Sequence, residues 1–91
     1  MRYRLTPAYE KCFDALSEER KGRIRKALKA LTVLFETGEM PAGLGLKSLV
    51  HGIWEVRAGL YDRVLFRRTA DLVEFLLIGS HDEIRKFLKE R

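Results

Sequence analysis

The chain has 91 residues, which is enough for one domain with one modest core, and we expect a single domain over residues 1–91. With 46% hydrophobic and 34% charged residues and no apolar run of about 18 residues, the composition excludes both a disordered chain and a transmembrane segment. Eighteen lysines and arginines against thirteen aspartates and glutamates give a formal charge of +5, which favours a polyanionic or acidic partner.

The first elements along the chain are predicted to be a strand and two helices. Residues 2–5 alternate arginine with tyrosine and leucine, which indicates a short strand. Thr6 and the proline after it form a helix start, and the apolar stripe that follows predicts a helix ending near Leu16. Ser17 caps a second helix, which ends at Gly38. We expect the two helices to pack as an antiparallel hairpin.

The remaining elements are predicted to be three strands and a helix. Residues 40–52 are rich in glycine and form a loop with room for a short extended piece at 46–49. A hairpin follows over 53–66, and the run 72–78 is so apolar that we expect a central strand buried on both faces. Ser80 opens a capping box that starts the last helix. This order predicts an α+β fold: a four-stranded, antiparallel-rich sheet with an N-terminal helical hairpin and a C-terminal helix.

The hairpin places its arginines on one face of the sheet. Trp54 and Val56 alternate with Arg57 on its first strand, and Arg63 and Arg67 fall on the same side of the second strand. Such a face either lies open to water or presents positive charge to an anion, and the pattern alone leaves both interpretations open.

A second group of cations lies on the second helix. Lys21, Arg25 and Lys29 share one flank beside the apolar stripe. A solvated helix face is the favoured interpretation, because amphipathic helices usually have this pattern, and RNA binding is the alternative.

The sequence lacks the usual motifs of catalysis and cofactor binding. The glycines at 43 and 45 do not continue into a phosphate-loop or dinucleotide-binding pattern, and no Gly-x-Ser-x-Gly is present. One cysteine and two histidines exclude the usual zinc spacings, so we expect no metal and no cofactor. Because no apolar leader stands at the start, we expect a cytoplasmic protein.

Four stretches of the chain resemble the RelE/ParE superfamily of toxins from toxin–antitoxin systems. They are residues 46–49, 53–57, 61–66 and 75–84, and the resemblance covers almost the whole chain. RelE-like members are ribosome-dependent ribonucleases that cut messenger RNA, ParE-like members poison DNA gyrase, and a small antitoxin neutralises both. The resemblance implies a metal-independent messenger-RNA endonuclease with a cognate antitoxin. A gyrase inhibitor and a basic interaction module without activity are the alternatives.

The resemblance also implies which residues act. Arg57 falls where RelE has a basic residue, Arg63 matches the phosphate-binding arginine, and His81 matches a basic position just after a strand. Cleavage without a metal needs a base, a proton donor and cations for the phosphorane charge. Arg57, Arg63 and His81 are the catalytic residues that the resemblance implies for these roles. The predicted RNA contacts are the remaining cations of the sheet and the helix flank, namely Lys47, Arg67, Lys21, Arg25 and Lys29.

Two positions depart from the RelE pattern. Glu55 stands where RelE has a lysine, and Phe87 stands where RelE has a catalytic tyrosine, so Tyr61 or His81 would have to replace that hydroxyl. We further expect Arg63 to lie on an open sheet face. Its replacement by alanine should then change the free energy of unfolding by no more than about 0.5 kcal/mol.

Overall fold

Residues 1–90, the part of the chain that the computed structural model describes, form five strands and three helices. In chain order they are β1 (Arg2–Leu5), α1 (Pro7–Asp14), α2 (Glu18–Thr37), β2 (Lys47–Val50), β3 (Ile53–Ala58), β4 (Asp62–Thr69), β5 (Leu72–Gly79) and α3 (His81–Lys89). The α+β class is confirmed, but the prediction of four strands is wrong. The fifth strand is the extended piece after the glycine-rich loop, a mostly exposed edge strand whose sequence carries little apolar alternation.

The sheet has the order β1-β5-β4-β3-β2. Its pairs are antiparallel except for β1, which lies parallel to β5. We predicted β5 as the central strand, and it is an interior strand covered on both faces, although β4 holds the middle of the sheet. Within residues 1–90, no helix is long and apolar enough to span a membrane.

Local capping explains where the helices begin and end. The Thr6 hydroxyl accepts a hydrogen bond from the Tyr9 N–H at 3.2 Å and donates one to the Phe75 carbonyl at 2.9 Å, so it both starts α1 and ties it to β5. Ser17 accepts a hydrogen bond from the backbone of the first turn of α2. Gly38 closes α2 with a left-handed φ of 77°. All three helix boundaries are those that the sequence predicts.

The two faces of the sheet are covered by different helices. On one face, which we call the α2 face, α1 and α2 pack on the main core, which includes Val56, Val64 and Phe66. On the other, which we call the α3 face, Leu65 of the sheet and Ile84 of α3 are buried in a smaller core. The arginine-bearing face of the hairpin is therefore the α3 face, and it is half-covered rather than open.

Candidate active site

Arg57 and Arg63 lie opposite each other on the α3 face. They are register partners in the β3–β4 ladder, which places their Cα atoms about 4.5–5.5 Å apart. On its other side Arg63 is the partner of Gly79, the last residue of β5. His81 begins α3 two residues later. The three predicted catalytic residues therefore come from one end of the sheet, where a row across three strands meets the start of a helix.

The start of α3 is fixed by close packing and by a capping box. A Cβ atom on Gly79 would lie 3.0 Å from the Cβ of Glu83, so any larger residue would press against the first turn of α3. The Ser80 hydroxyl accepts the Glu83 N–H, and the Glu83 carboxylate accepts the Ser80 N–H. This backbone hydrogen bond lowers the pKa of Glu83. His81, at the first helical position, is exposed.

A buried carboxylate lies beside Arg63. The Glu55 side chain is only 3% exposed, and its Oε2 is 3.5 Å from Nε of Arg63. Neither atom has a hydrogen-bond partner among the described residues. The Arg63 side chain is 26% exposed, so the expectation of an open position is wrong: α3 and its small core cover part of this face. No side-chain hydrogen bond of Arg63 is found among residues 1–90, so its guanidinium retains donors for a ligand.

Arg57 is held from the loop that precedes β2. A Cβ atom on Gly45 would lie 3.0 Å from the Cβ of Arg57 and 3.1 Å from its Nε, and Gly45 has a φ of 66°. The arginine side chain therefore runs along the glycine backbone. Arg57 takes part in none of the ion pairs found among residues 1–90. Of the two arginines, Arg57 is therefore the one whose guanidinium makes no ion pair with a carboxylate among residues 1–90.

The other cations of the sheet are less closely grouped. Lys47 is exposed on β2 as the register partner of Glu55, so it lies two residues along the strands from Arg57. Arg67 is four residues beyond Arg63 on β4, a distance of about 13 Å along the strand. It is the register partner of Glu74. Lys47 thus belongs beside the arginine pair, whereas Arg67 lies toward the opposite end of the strand.

The predicted helix flank lies on the other side of the sheet. Lys21 Nζ is 5.6 Å and Arg25 Cζ is 5.4 Å from the centre of the Phe13 ring on α1, so both are occupied in cation–π contacts between the two helices. Lys29 is exposed. The structure does not bring this flank together with Arg57 and Arg63.

Sequence reasoning missed the ion pair that anchors the hairpin to α2. Asp62 is buried, and its carboxylate accepts two hydrogen bonds from Arg20, of 2.9 Å from Nε and 2.6 Å from Nη2. These hydrogen bonds raise the pKa of Arg20. Because aspartate is common in turns, the position of Asp62 next to the hairpin loop did not indicate a buried ion pair. Tyr61, just before it, is 79% exposed at the hairpin tip, and Phe87 is half-buried against the smaller core.

Comparisons with known proteins agree on the fold. No protein-family model and no curated protein matches the sequence. Among solved structures, RelE in the RelB–RelE complex from Methanococcus jannaschii is similar with a TM-score of 0.69 and 13% identity, covering 92% of this chain and 96% of that one. The DinJ–YafQ complex from E. coli gives 0.65 and 19%, covering 90% and 93%. A YoeB/ParE toxin from Agrobacterium tumefaciens gives 0.64 and 19%, covering 89% and 99%. The chain therefore has the same fold as these toxin structures.

Proposed function

We propose that the protein is the toxin of a toxin–antitoxin system and that it cuts messenger RNA on the ribosome. The observation that carries this proposal is the arginine pair on the α3 face, in register across β3 and β4 and next to the start of α3. Paired guanidinium groups on a rigid sheet suit a phosphate, because each can donate two parallel hydrogen bonds to its oxygens. The likeness to toxins of known structure supports the same role.

The proposed reaction is a transesterification within the RNA. The ribose 2′-oxygen attacks the neighbouring phosphorus and loses its proton, while the bond from phosphorus to the 5′-oxygen breaks and that oxygen gains a proton. Arg57 and the terminal nitrogens of Arg63 bind the non-bridging oxygens, where charge develops. His81 transfers a proton to or from the reacting oxygens. The products are a 2′,3′-cyclic phosphate and a 5′-hydroxyl.

A small cognate antitoxin is the proposed partner, and the cytoplasm, where ribosomes are found, is the proposed compartment. Two of the similar structures are complexes of a toxin with its antitoxin, RelB with RelE and DinJ with YafQ. Co-expression with the product of a neighbouring small open reading frame should give a stable complex and restore growth. Growth arrest that no neighbouring gene relieves would argue against this partner.

Inhibition of DNA gyrase is a second candidate, and Glu55 is the observation that favours it. Its carboxylate lies 3.5 Å from Arg63 and partly offsets the positive charge that an RNA phosphate would meet. A toxin that binds a protein target does not need an unopposed cationic pair. The two candidates therefore differ in the role of the arginine pair: cleavage needs it to bind an RNA phosphate, and gyrase inhibition does not.

One experiment separates these candidates. The protein is added to a translation reaction and to messenger RNA without ribosomes, and the cut ends are mapped by primer extension; gyrase supercoiling is assayed in parallel. We expect cutting only with ribosomes, and we expect Arg57→Gln to abolish it while Lys11→Gln, an exposed lysine of α1, does not. Intact messenger with inhibited supercoiling would establish the second candidate. Intact messenger with active gyrase would leave a basic interaction module.

A further inference from the structure

A basic cleft lies between α2 and the loop before β2, and it shares Arg57 with the arginine pair of the α3 face. Its volume is about 340 Å³. The lining comes from one flank of α2, the glycine-rich loop and the end of β3, namely Arg23, Lys26, Ala27, Ala30, Ala42, Gly43, Leu44, Arg57, Ala58 and Gly59. We propose that this cleft binds a phosphate of the RNA strand next to the one that is cut. This inference rests on the proposed function and adds a second phosphate site to it.

Charge is the first argument for the cleft. Three cations line it, Arg23, Lys26 and Arg57, and none of the described residues in its wall is acidic. Arg23 also makes an ion pair of 2.9 Å with Glu19, but the Glu19 side chain is 82% exposed and that of Arg23 is 43% exposed on the next turn of α2. Such a pair contributes only about 0.3–0.5 kcal/mol, and it leaves other nitrogens of the guanidinium free. The cleft therefore has an excess of positive charge close to a wall of small apolar residues.

Two glycines with positive φ hold two of these cations in place. A Cβ atom on Gly59, which has a φ of 85°, would lie 3.0 Å from both Cδ and Nε of Arg23. Gly45 makes the equivalent close approach to Arg57. Each arginine thus packs along backbone that only glycine allows, one from α2 and one from β3. The fold therefore packs one side of each arginine against backbone, while both residues remain exposed to a ligand from solvent.

The remaining lining suits a sugar–phosphate unit. Four alanines and two glycines leave the wall smooth, and Leu44, 6% exposed, anchors the loop in the main core. Arg57 lines this cleft and is also one of the arginine pair. One strand of RNA can therefore place one phosphate at the arginine pair and a neighbouring phosphate in the cleft. Neither the arginine pair alone nor the helix flank of Lys21 and Arg25 supplies a site for this neighbouring phosphate.

The test measures RNA binding without cleavage or ribosomes. The probe is a fluorescent single-stranded RNA hexanucleotide, methylated at every 2′-oxygen so that it cannot be cut. The double variant Arg23→Gln, Lys26→Gln is compared with Lys11→Gln, Lys89→Gln, which removes the same charge from exposed positions on α1 and α3. We expect the cleft variant to bind at least about tenfold more weakly at low salt. Its slope of log affinity against log salt should become shallower by about 0.7, because the cleft holds one phosphate and each phosphate neutralised on a single strand contributes about 0.7.

A control that weakened binding as much as the cleft variant would overturn the inference, because net charge alone would then explain the affinity. Urea unfolding of both variants checks that they are folded. Amide shifts in an NMR titration with inorganic phosphate give a second measurement: changes at Gly43 and Gly59 support the cleft, and changes confined to other residues exclude it. Binding at the cleft in a protein that never cuts messenger RNA would refute the proposed catalysis while leaving this site in place.

Discussion

Replacing Arg63 by alanine should unfold the protein more readily as well as inactivate it. The substitution leaves the Glu55 carboxylate, 3% exposed, without the cation that faces it. Breaking a buried ion pair by removing one partner destabilises by about 3–5 kcal/mol. Because Arg63 keeps 26% exposure and the contact is long at 3.5 Å, we expect a smaller loss of about 2–3 kcal/mol. This replaces the limit of about 0.5 kcal/mol that an open position would give.

Urea unfolding measures this loss directly. For a small domain with a slope of about 1–1.5 kcal/mol per molar urea, the midpoint should fall by about 1.3–3 M. Glu55→Met alone should lose less, because Arg63 can turn toward water. The double variant Glu55→Met, Arg63→Ala removes both charges and should come within about 1 kcal/mol of the unmodified protein.

The double variant also separates folding from chemistry. We expect it to be folded yet unable to cut messenger RNA, because it lacks the guanidinium proposed to bind the phosphate. An Arg63→Ala protein as stable as the original would refute the reasoning, since Glu55 would then need no cation. A double variant as unstable as Arg63→Ala would also refute the reasoning, because the instability would then come from poorer packing rather than from an unpaired charge.

Three further predictions concern the rest of the molecule. His81→Gln should slow ribosome-dependent cleavage by about a hundredfold without weakening ribosome binding, and a rate within a fewfold across pH 6 to 8 would exclude proton transfer by His81. Burial raises the pKa of Tyr9 to about 12, so the phenol stabilises the fold below pH 10 and that stability is lost as pH rises toward 12. Tyr9→Phe should flatten this alkaline loss in pH-dependent unfolding, and an unchanged profile would assign the loss to other groups. If the flank contacts RNA, replacing Lys21, Arg25 and Lys29 together by glutamine should weaken ribosome association and reduce its dependence on salt. Unchanged association would show that the flank is a solvated helix face.

Local signals in the sequence were sufficient for the helices and most strands. Thr6, Ser17, Gly38 and Ser80 mark helix ends through hydrogen bonds and backbone angles that involve only neighbouring residues, so they can be read without knowledge of the fold. Strand β2 was predicted only as a short extended piece at 46–49 and was not counted as a strand of the sheet. Its pairing depends on β3, and its own residues are mostly exposed.

The site was predicted in part, for a similar reason. Alternation places Arg57 and Arg63 on one face, and the register of the structure makes them neighbours. Alternation cannot show that α3 covers this face or that Glu55 is buried there, because those facts depend on how a distant helix packs. A register shift between β4 and β5 also brings both Leu76 and Leu77 to the smaller core, which no strict two-residue period predicts.

The parallel pairing of β1 with β5 has a consequence for the order of folding. Arg2 is in register with Leu72, and Leu5 with Phe75, so this ladder joins parts of the chain about seventy residues apart. The meander of β3, β4 and β5 needs only short hairpin closures, which are fast, whereas the ladder must close a loop that spans most of the molecule. The meander should therefore form before β1 docks. In pulse-labelled hydrogen exchange, amides of β4 should gain protection first, and those of β1 last.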